Sequence, residues 1–165
     1  MIIAFDVAYT ESFAHVVAVV FEDWTSKLCT QSYTLNVQET AEYESGQFYK
    51  RELPCILALF KQVKEPITMI LIDGYVTLGE DQHKGLGQYL YEALDSKIPV
   101  IGVAKNSYKG TPSDCEILRG QSTKPLYITA RGIQLEQAKN NVQKMYGKYR
   151  MPELLKQVDR LSKAI

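Results

Sequence analysis

Residues 1–10 of the chain read MIIAFDVAYT, an apolar run that begins at the first residue and carries a single acid, Asp6. A carboxylate in a buried strand is costly unless a cation or a hydrogen-bond donor meets it. Two further acids stand at the edges of apolar segments, Glu52 after QFYKR and Asp73 at the end of ITMILID. The three acids together predict one shared metal site.

The composition is that of an ordinary globular chain. The 165 residues are 45% hydrophobic and 23% charged, which predicts one domain over residues 1–165 with a real apolar core. No apolar run approaches the roughly 18 residues that a membrane-spanning helix needs. Residues 1–10 also lack the basic flank and the uninterrupted apolar centre of a signal peptide. We therefore expect a cytoplasmic protein with no membrane partner.

The formal net charge is zero, but the charges are spread unevenly along the chain. Residues 1–104 hold 7 Lys and Arg against 14 Asp and Glu, whereas residues 105–165 hold 12 against 5. An acidic half can supply ligands for a metal ion, and a basic half can bind phosphate. The two halves can also interleave in space with no functional meaning, and the sequence leaves both possibilities open.

Hydrophobic periodicity predicts the order of the secondary-structure elements. Strand patterns at residues 2–8, 13–21 and 27–35 are joined by short polar links, which predicts an antiparallel meander. After them helical and strand patterns alternate, which predicts βαβ units with parallel pairing. The predicted helices begin at Pro54, 88, 135 and Pro152, and the predicted strands cover 67–72, 99–103 and 125–129. This order is similar to the ribonuclease-H-like fold, an α/β class with a mixed sheet and helices on both faces.

The predicted fold gives the three acids a common location. The first strand of such a sheet lies centrally, beside the strand that follows the first helix, so Asp6 and Asp73 would be neighbours. Glu52, at the entrance to that helix, would close the cluster. Carboxylate oxygens suit Mg²⁺ or Mn²⁺, and such ions activate water and stabilise a departing oxygen. The acids therefore indicate hydrolysis of phosphodiester bonds.

Six motifs occur in order along nearly the whole chain. They are DVAY, YESGQFYKRE, QHKGLG (after Asp73 and Gly74), PVIGVAKN, KPLYIT and YRMPELLKQVDRLS. In the same order they resemble the DVxY, YIPGFLAFRE, HPRxxG, PTIGVAKS, KPLYVS and YRLPEPxRxAD segments of the endonuclease V family. The family cuts DNA or RNA on the 3′ side of inosine and uses Mg²⁺, so the resemblance implies the same class of activity here.

The resemblance also implies roles for individual residues. Asp6, Glu52 and Asp73 correspond to the catalytic, metal-binding carboxylates, and Lys105 corresponds to a lysine that stabilises charge on the phosphate. Contacts with the nucleic acid are implied for a larger set. Its members are Tyr43 and Gly46 of the strand-separating wedge, Arg51, Gly74, and His83, Lys84, Gly85 and Gly87 of the following turn.

The chain departs from the family pattern at defined positions. The family's GHRI element, whose histidine the resemblance places near the metals, is ARGI here, so Arg131 replaces the histidine. An arginine cannot act as a general base or a metal ligand. The wedge lacks both family prolines, and in the longer loop after Asp73 the usual histidine position holds Gln82, with His83 one residue further on.

Two functions are compatible with these observations. The first is a Mg²⁺- or Mn²⁺-dependent endonuclease that acts near a deaminated base in DNA repair or RNA processing, with Lys105 and Arg131 neutralising the developing charge. The alternative is a catalytically impaired relative that binds nucleic acid or a protein partner without cleaving it. The retained acids favour the enzyme, because their mutual repulsion has no compensation unless a cation binds. We expect the molecule to be a monomer.

Overall fold

The computed structural model describes residues 1–38 and 49–165. The strands and helices in chain order are β1 (Ile2–Tyr9), β2 (Phe13–Phe21), β3 (Gln31–Gln38), α1 (Tyr49–Phe60), β4 (Met69–Asp73), β5 (Thr77–Leu78), β6 (His83–Lys84), α2 (Leu86–Ala93), β7 (Val100–Ala104), β8 (Glu116–Ile117), β9 (Leu126–Arg131), α3 (Leu135–Gln143) and α4 (Glu153–Ser162). None of the helices in these two ranges has the length and apolar character needed to cross a bilayer.

The described strands form a seven-stranded mixed sheet in the order β3-β2-β1-β4-β7-β9-β8, with β5 and β6 in a separate hairpin. The predicted meander is present, because β1 and β3 both pair antiparallel with β2. β4 lies between β1 and β7 and is parallel to both, as βαβ units require. The predicted α/β, ribonuclease-H-like class is confirmed, although the last strands reverse direction: β9 is antiparallel to both β7 and β8.

Alternation along β1 divides the core between the two faces of the sheet. Ile2 and Ala4 belong to one apolar cluster, which α3 and α4 cover. Ile3 and Phe5 belong to the other cluster, which α1 and α2 cover. Because successive side chains of a strand point to opposite faces, Asp6 continues the face of Ala4 and points towards α4.

Two predicted boundaries are wrong for local reasons. The third strand begins later than residue 27, because Asp23 accepts hydrogen bonds from Thr25 and thereby stabilises a polar turn. Pro54, expected in the first turn of a helix, lies inside α1 instead. The residues before it, YKREL, include several good helix formers, so the helix starts upstream of the proline.

The loop between α3 and α4 is organised around the buried side chain of Arg119, which is only 3% exposed. The guanidinium donates five hydrogen bonds of 2.6 to 3.5 Å to backbone carbonyl oxygens of Gln143, Met145, Gly147, Tyr149 and Arg150. Buried carbonyl groups need such donors to compensate their desolvation. Arg119 therefore fixes the loop that leads into α4.

We predict that Arg119→Met lowers the free energy of unfolding by about 3 kcal/mol, because one buried hydrogen bond and four partly buried ones to backbone carbonyl groups are lost. For a domain of this size the loss corresponds to a fall in Tm of about 6–12 °C. Urea and thermal denaturation measure the change. The matched control is Arg160→Met on the exposed face of α4, for which we expect a change within about 0.5 kcal/mol. Equal stability of the two variants would contradict the role given to Arg119.

Candidate metal centre and adjoining surfaces

The centre of the site is a set of three aspartates, which we call the carboxylate cluster: Asp6, Asp73 and Asp159. Asp6 and Asp73 come from the adjacent parallel strands β1 and β4, in which Phe5 lies opposite Ile72, one residue before each acid. Asp159 comes from α4. One carboxylate oxygen from each aspartate lies within 4.8 Å of the other two.

The three acids that lie closest together differ from the predicted three by one member. Asp6 and Asp73 come together as expected, but Glu52 is not part of the 4.8 Å group, and Asp159 takes that place. Glu52 is carried by α1, which packs on the opposite face of the sheet from α4. It still lines a small cavity that also borders Asp6 and Asp73. Glu52 therefore adjoins the carboxylate cluster without belonging to it.

Sequence reasoning missed Asp159, although the chain offered a way to find it. The aspartate occupies the position of the final D in the family's YRLPEPxRxAD motif. The motif as a whole marks the segment, but the hydrophobic pattern gives its acid no distinct role. Without the resemblance, Asp159 resembles any half-exposed acid on an amphipathic helix.

Nearby donors compensate part of the negative charge. Ser162 donates a hydrogen bond of 2.8 Å from Oγ to Oδ2 of Asp6. The ammonium groups of Lys163 and Lys105 lie 2.8 and 3.5 Å from Oδ1 of Asp159. Both lysines therefore sit beside the same carboxylate, while buried Asp6 depends on a neutral hydroxyl.

The electrostatics of the cluster favour protonation when no cation is bound. Burial, followed by the charge of Asp73, raises the pKa of Asp6 to about 7. Burial, followed by the charges of Asp73 and Asp6, raises the pKa of Glu52 to about 8. Burial also raises the pKa of Asp73, although its side chain partly reaches solvent and Lys105 opposes the shift. Carboxyl groups perturbed in this way are common at functional sites.

Asp159 behaves in the opposite sense. Burial acts to raise the pKa of its carboxyl group, but the hydrogen bond from Lys163 and the charge of Lys105 outweigh burial and hold that pKa below its usual range. Asp159 is therefore the member of the cluster that stays ionised most readily, and its two lysines are the local source of positive charge.

The donor set of the carboxylate cluster fits a hard divalent cation. All three donors are carboxylate oxygens within 4.8 Å of one another. Mg²⁺ binds oxygen at about 2.0–2.1 Å, so two ligands on opposite sides of the ion lie about 4 Å apart. A small inward movement of the side chains is enough to bring the three oxygens to that spacing, so these residues could hold Mg²⁺ or Mn²⁺.

Lys105 is held in place by its backbone. Its side chain lines a cavity together with Asp6, Asp73 and Asp159. Its carbonyl oxygen accepts a hydrogen bond from the Arg150 guanidinium, which also donates to the Pro125 carbonyl at 2.7 Å. Arg150 thereby joins the end of β7 to the start of β9 and positions Lys105 at the cluster.

A larger cavity of about 470 Å³ opens next to the cluster and is lined by Asp73, a member of the cluster, and by the adjoining Glu52. Two predicted nucleic-acid-binding residues, Gly74 and Gly85, line this cavity. Gly74 has φ +133°, a conformation that side-chain-bearing residues rarely adopt, and a Cβ at Gly85 would lie 2.8 Å from the Tyr75 carbonyl oxygen. The volume is in the range of small-molecule sites. The two glycines form part of its wall, and their N–H groups donate to the carbonyl oxygens of Val103 (from Gly74) and Val76 (from Gly85).

The other predicted nucleic-acid-binding residues lie around the site or outside the described part. The Arg51 guanidinium lies 3.9 Å from the ring centroid of Tyr9. His83 lies 2.9 Å from Asp81, Lys84 lies 2.8 Å from Glu92, and Gly87 packs on Val76 with no room for a Cβ. Tyr43 and Gly46 fall within residues 39–48, outside the described ranges.

Arg131 does not reach the carboxylate cluster. On β7, Val103 lies opposite Asp73, whereas Val100 lies opposite Arg131. Three residues of a strand cover roughly 10 Å, so Arg131 is near the other edge of the sheet, where its Nε donates to Gln88 at 2.6 Å. This register does not bring Arg131 beside Lys105, so a role for Arg131 in neutralising charge stays a prediction.

A sheet of this order, with one carboxylate inside β1 and one at the end of the adjacent parallel strand β4, defines a ribonuclease-H-like domain with a candidate metal centre. The model of one such family, Endonuclease V, matches residues 1–123. The chain belongs to the endonuclease V family.

Curated relatives agree with this assignment. The chain is 29% identical over 132 residues to an endonuclease V of Rhodospirillum centenum, covering 67% of this chain and 54% of the relative. It is 34% identical over 91 residues to an endonuclease V of Streptomyces coelicolor, covering 55% of this chain and 37% of the relative. The chain thus spans well under two thirds of the length of these two relatives.

Solved structures share the fold over almost the whole chain. The endonuclease V of Streptomyces avermitilis superposes with a TM-score of 0.76 at 25% identity, covering 98% of this chain and 79% of that one. The catalytic domain of human endonuclease V gives 0.75 at 24% identity, covering 98% and 80%. The Ciona intestinalis endonuclease V, solved with a DNA 24-mer containing an inosine followed by a ribo-adenosine, gives 0.75 at 22% identity, covering 98% and 84%.

The raised pKa values predict how the stability of the metal-free protein depends on pH. The pKa of Asp6 rises from 3.8 to about 7 and that of Glu52 from 4.5 to about 8. At pH values between the ordinary pKa of the unfolded state and the raised pKa of the folded state, the folded protein binds more protons than the unfolded chain. The free energy of unfolding therefore falls as pH rises from about 4 to about 8. We expect a loss on the order of a few kcal/mol.

Urea denaturation in EDTA between pH 5 and pH 8 measures this dependence. We expect Asp6→Asn to flatten the profile and to be more stable than the parent at pH 8, because it removes one buried charge. Glu116→Gln, which alters an exposed acid on β8, is the matched control and should follow the parent. A parent profile that is flat, or that rises with pH over this window, would contradict the electrostatic account.

Proposed function

We propose that the chain is a Mg²⁺- or Mn²⁺-dependent endonuclease that hydrolyses a phosphodiester bond near a deaminated base, such as inosine, in DNA or RNA. The observation that carries the proposal is the carboxylate cluster, with its three oxygens within 4.8 Å of one another. Membership of the endonuclease V family supports it, as does the inosine-containing DNA bound by the Ciona intestinalis relative. The cytoplasmic location and the monomeric state expected from the sequence remain predictions.

The carboxylates of Asp6, Asp73 and Asp159 would hold the cation, with Glu52 as a further oxygen donor from the opposite side. A divalent ion held by these residues would supply polarisation of the scissile phosphate and a lower pKa for an attacking water. The fold holds the three carboxylates in a fixed arrangement, because two of the aspartates lie on the adjacent strands β1 and β4 and the third lies on α4. Burial of Asp6 keeps bulk water away from one side of the site.

Lys105 supplies positive charge where the reaction creates negative charge. Its ammonium lies 3.5 Å from Oδ1 of Asp159. We infer that Lys105 approaches a non-bridging phosphate oxygen once substrate is bound, since a positioned cation stabilises the negative charge that develops in the transition state. The Arg150 hydrogen bond to its carbonyl limits how far Lys105 moves.

The 470 Å³ cavity is the proposed site of the altered base. It adjoins the carboxylate cluster through Glu52 and Asp73, so a base inside it would bring its own phosphodiester towards the cluster. Gly74 and Gly85, which line the cavity, are proposed to contact the base. Further contacts are proposed for Tyr43, Gly46, Arg51, His83, Lys84, Gly87 and Arg131, which lie away from the cluster or outside the described residues.

We predict that the protein cleaves an inosine-containing single strand in the presence of Mg²⁺ and that Asp73→Asn lowers kcat by about a hundredfold or more. The substitution keeps the shape of the side chain but removes one charged oxygen donor. Asp23→Asn, on the exposed β2–β3 turn, is the matched control and should cleave like the parent. Product analysis on denaturing gels measures cleavage, and titration calorimetry with Mg²⁺ measures ion binding.

Each outcome of this experiment decides between the two functions. Cleavage by the parent and its loss in Asp73→Asn support the enzyme. Binding of the inosine strand without cleavage, in Mg²⁺ or Mn²⁺, supports the alternative of a nucleic-acid-binding relative. Equal cleavage rates for the parent and Asp73→Asn would contradict a catalytic role for the carboxylate cluster.

We predict that Lys105→Ala lowers kcat by about a hundredfold while KM changes little, because the lysine acts on charge that develops in the transition state. Arg131→Ala should lower kcat much less, since Arg131 lies near the opposite edge of the sheet. Single-turnover cleavage with saturating enzyme measures the chemical step. A change confined to KM in Lys105→Ala would show that the lysine only binds substrate.

A further inference from the structure

The outer face of α4 carries a stripe of three cations, Lys156, Arg160 and Lys163, which we call the basic stripe. Their spacing of four and then three residues places them on one side of the helix. The opposite side is buried in the core through Leu155 and Val158. The stripe therefore faces away from the sheet.

One end of the basic stripe lies at the proposed catalytic centre. The Lys163 ammonium is 2.8 Å from Asp159, a member of the carboxylate cluster. From there the stripe runs back along the helix axis for about 10 Å to Lys156. Phosphates of one strand in a B-form duplex are spaced about 3.4 Å along the axis, so the stripe has the length of a few nucleotides.

The charge of the stripe is only partly compensated. Lys156 has a carboxylate 3.7 Å away, that of Glu153, and Lys163 pairs with Asp159. Within residues 1–38 and 49–165 no ion pair involves Arg160. The stripe also belongs to the basic part of the chain, in which 12 Lys and Arg stand against 5 Asp and Glu.

An exposed aromatic ring extends the stripe at the end away from the cluster. Tyr149 is 55% exposed, and the ammonium groups of Lys156 and Lys148 lie 4.9 and 5.3 Å from its ring centroid. Its backbone is fixed, because Arg119 donates a 2.6 Å hydrogen bond to the Tyr149 carbonyl. A rigid exposed ring between two cations is the combination that single-stranded nucleic acids bind, with stacked bases and neutralised phosphates.

We propose that the basic stripe and Tyr149 bind a single-stranded segment of the substrate that leads away from the carboxylate cluster. Phosphates contact Lys156, Arg160 and Lys163, and one unpaired base stacks on Tyr149. The inference rests on the proposed function, because only a nucleic-acid substrate gives the stripe a strand to bind. It adds a surface outside the cluster and the 470 Å³ cavity.

Metal-free binding tests the stripe separately from cleavage. The probe is a fluorescein-labelled single strand of mixed sequence without an altered base, bound in EDTA and followed by anisotropy over a range of salt concentrations. For the double variant Lys156→Gln/Arg160→Gln we expect about tenfold weaker binding at low salt. The slope of log K against log salt should be smaller by about 1.4, since each lost phosphate contact on a single strand removes about 0.7.

The matched control removes two lysines elsewhere. Lys61→Gln/Lys64→Gln changes the charge by the same amount at exposed positions just after α1, on the opposite face of the sheet, and should bind like the parent. For Tyr149→Ala we expect about tenfold weaker binding with an unchanged salt slope, and for Tyr149→Phe we expect binding like the parent, because the ring stacks and the hydroxyl does not.

The proposal is overturned if the parent does not bind the probe at low salt, or if the stripe variant and the control variant bind alike. It is also overturned if Tyr149→Phe binds as weakly as Tyr149→Ala. The proposed function is judged by Mg²⁺-dependent cleavage in a separate assay. If the parent cleaves but Lys156→Gln/Arg160→Gln binds the probe like the parent, the stripe proposal fails and the proposed function stands. If that variant has the smaller salt slope but the parent does not cleave, the proposed nuclease activity fails and the stripe proposal stands.

Discussion

Electrostatic repulsion among Asp6, Asp73 and Asp159 is the constraint on which the rest of the site depends. Three carboxylates within 4.8 Å of one another destabilise the fold unless protons, lysines or a cation compensate them. The chain brings them together through two adjacent parallel strands, β1 and β4, and a helix, α4, that packs on β1 and β2. Repulsion among the three carboxylates lowers the free energy of unfolding, and binding of a divalent cation can offset this loss. Such an arrangement is expected at a site that serves function rather than stability.

The fold was largely predictable, because its determinants are local or follow from simple packing rules. Period-two patterns with short links specify the meander, and alternation of strands and helices specifies the parallel pairs that place Asp6 beside Asp73. The site was less predictable, because partners far apart in sequence leave no local pattern. Asp159 is one polar position on an amphipathic helix, and only the resemblance of its motif marks it.

Strand direction explains why Arg131 does not lie beside Lys105. Continued parallel pairing would carry the end of the last strand to the same sheet edge as Asp73. β9 instead runs antiparallel to β7, so its first residues lie near Lys105 and its last residue, Arg131, lies near the far edge. The direction of a strand cannot be derived from its own hydrophobic pattern, since the same residues are buried in either orientation.

The hydrogen bonds from Arg119 to the backbone carbonyl groups of the α3–α4 loop do not depend on pH in the range where carboxyl groups titrate. A guanidinium keeps its proton throughout the range in which carboxyl groups gain and lose theirs. Arg119 therefore keeps its charge and its hydrogen bonds to the α3–α4 loop as the pH changes, whereas Asp6 and Glu52 change their protonation state. The scaffold should keep its shape as the acids titrate, so that acid and alkali change the occupancy of the centre without moving the helix that completes it.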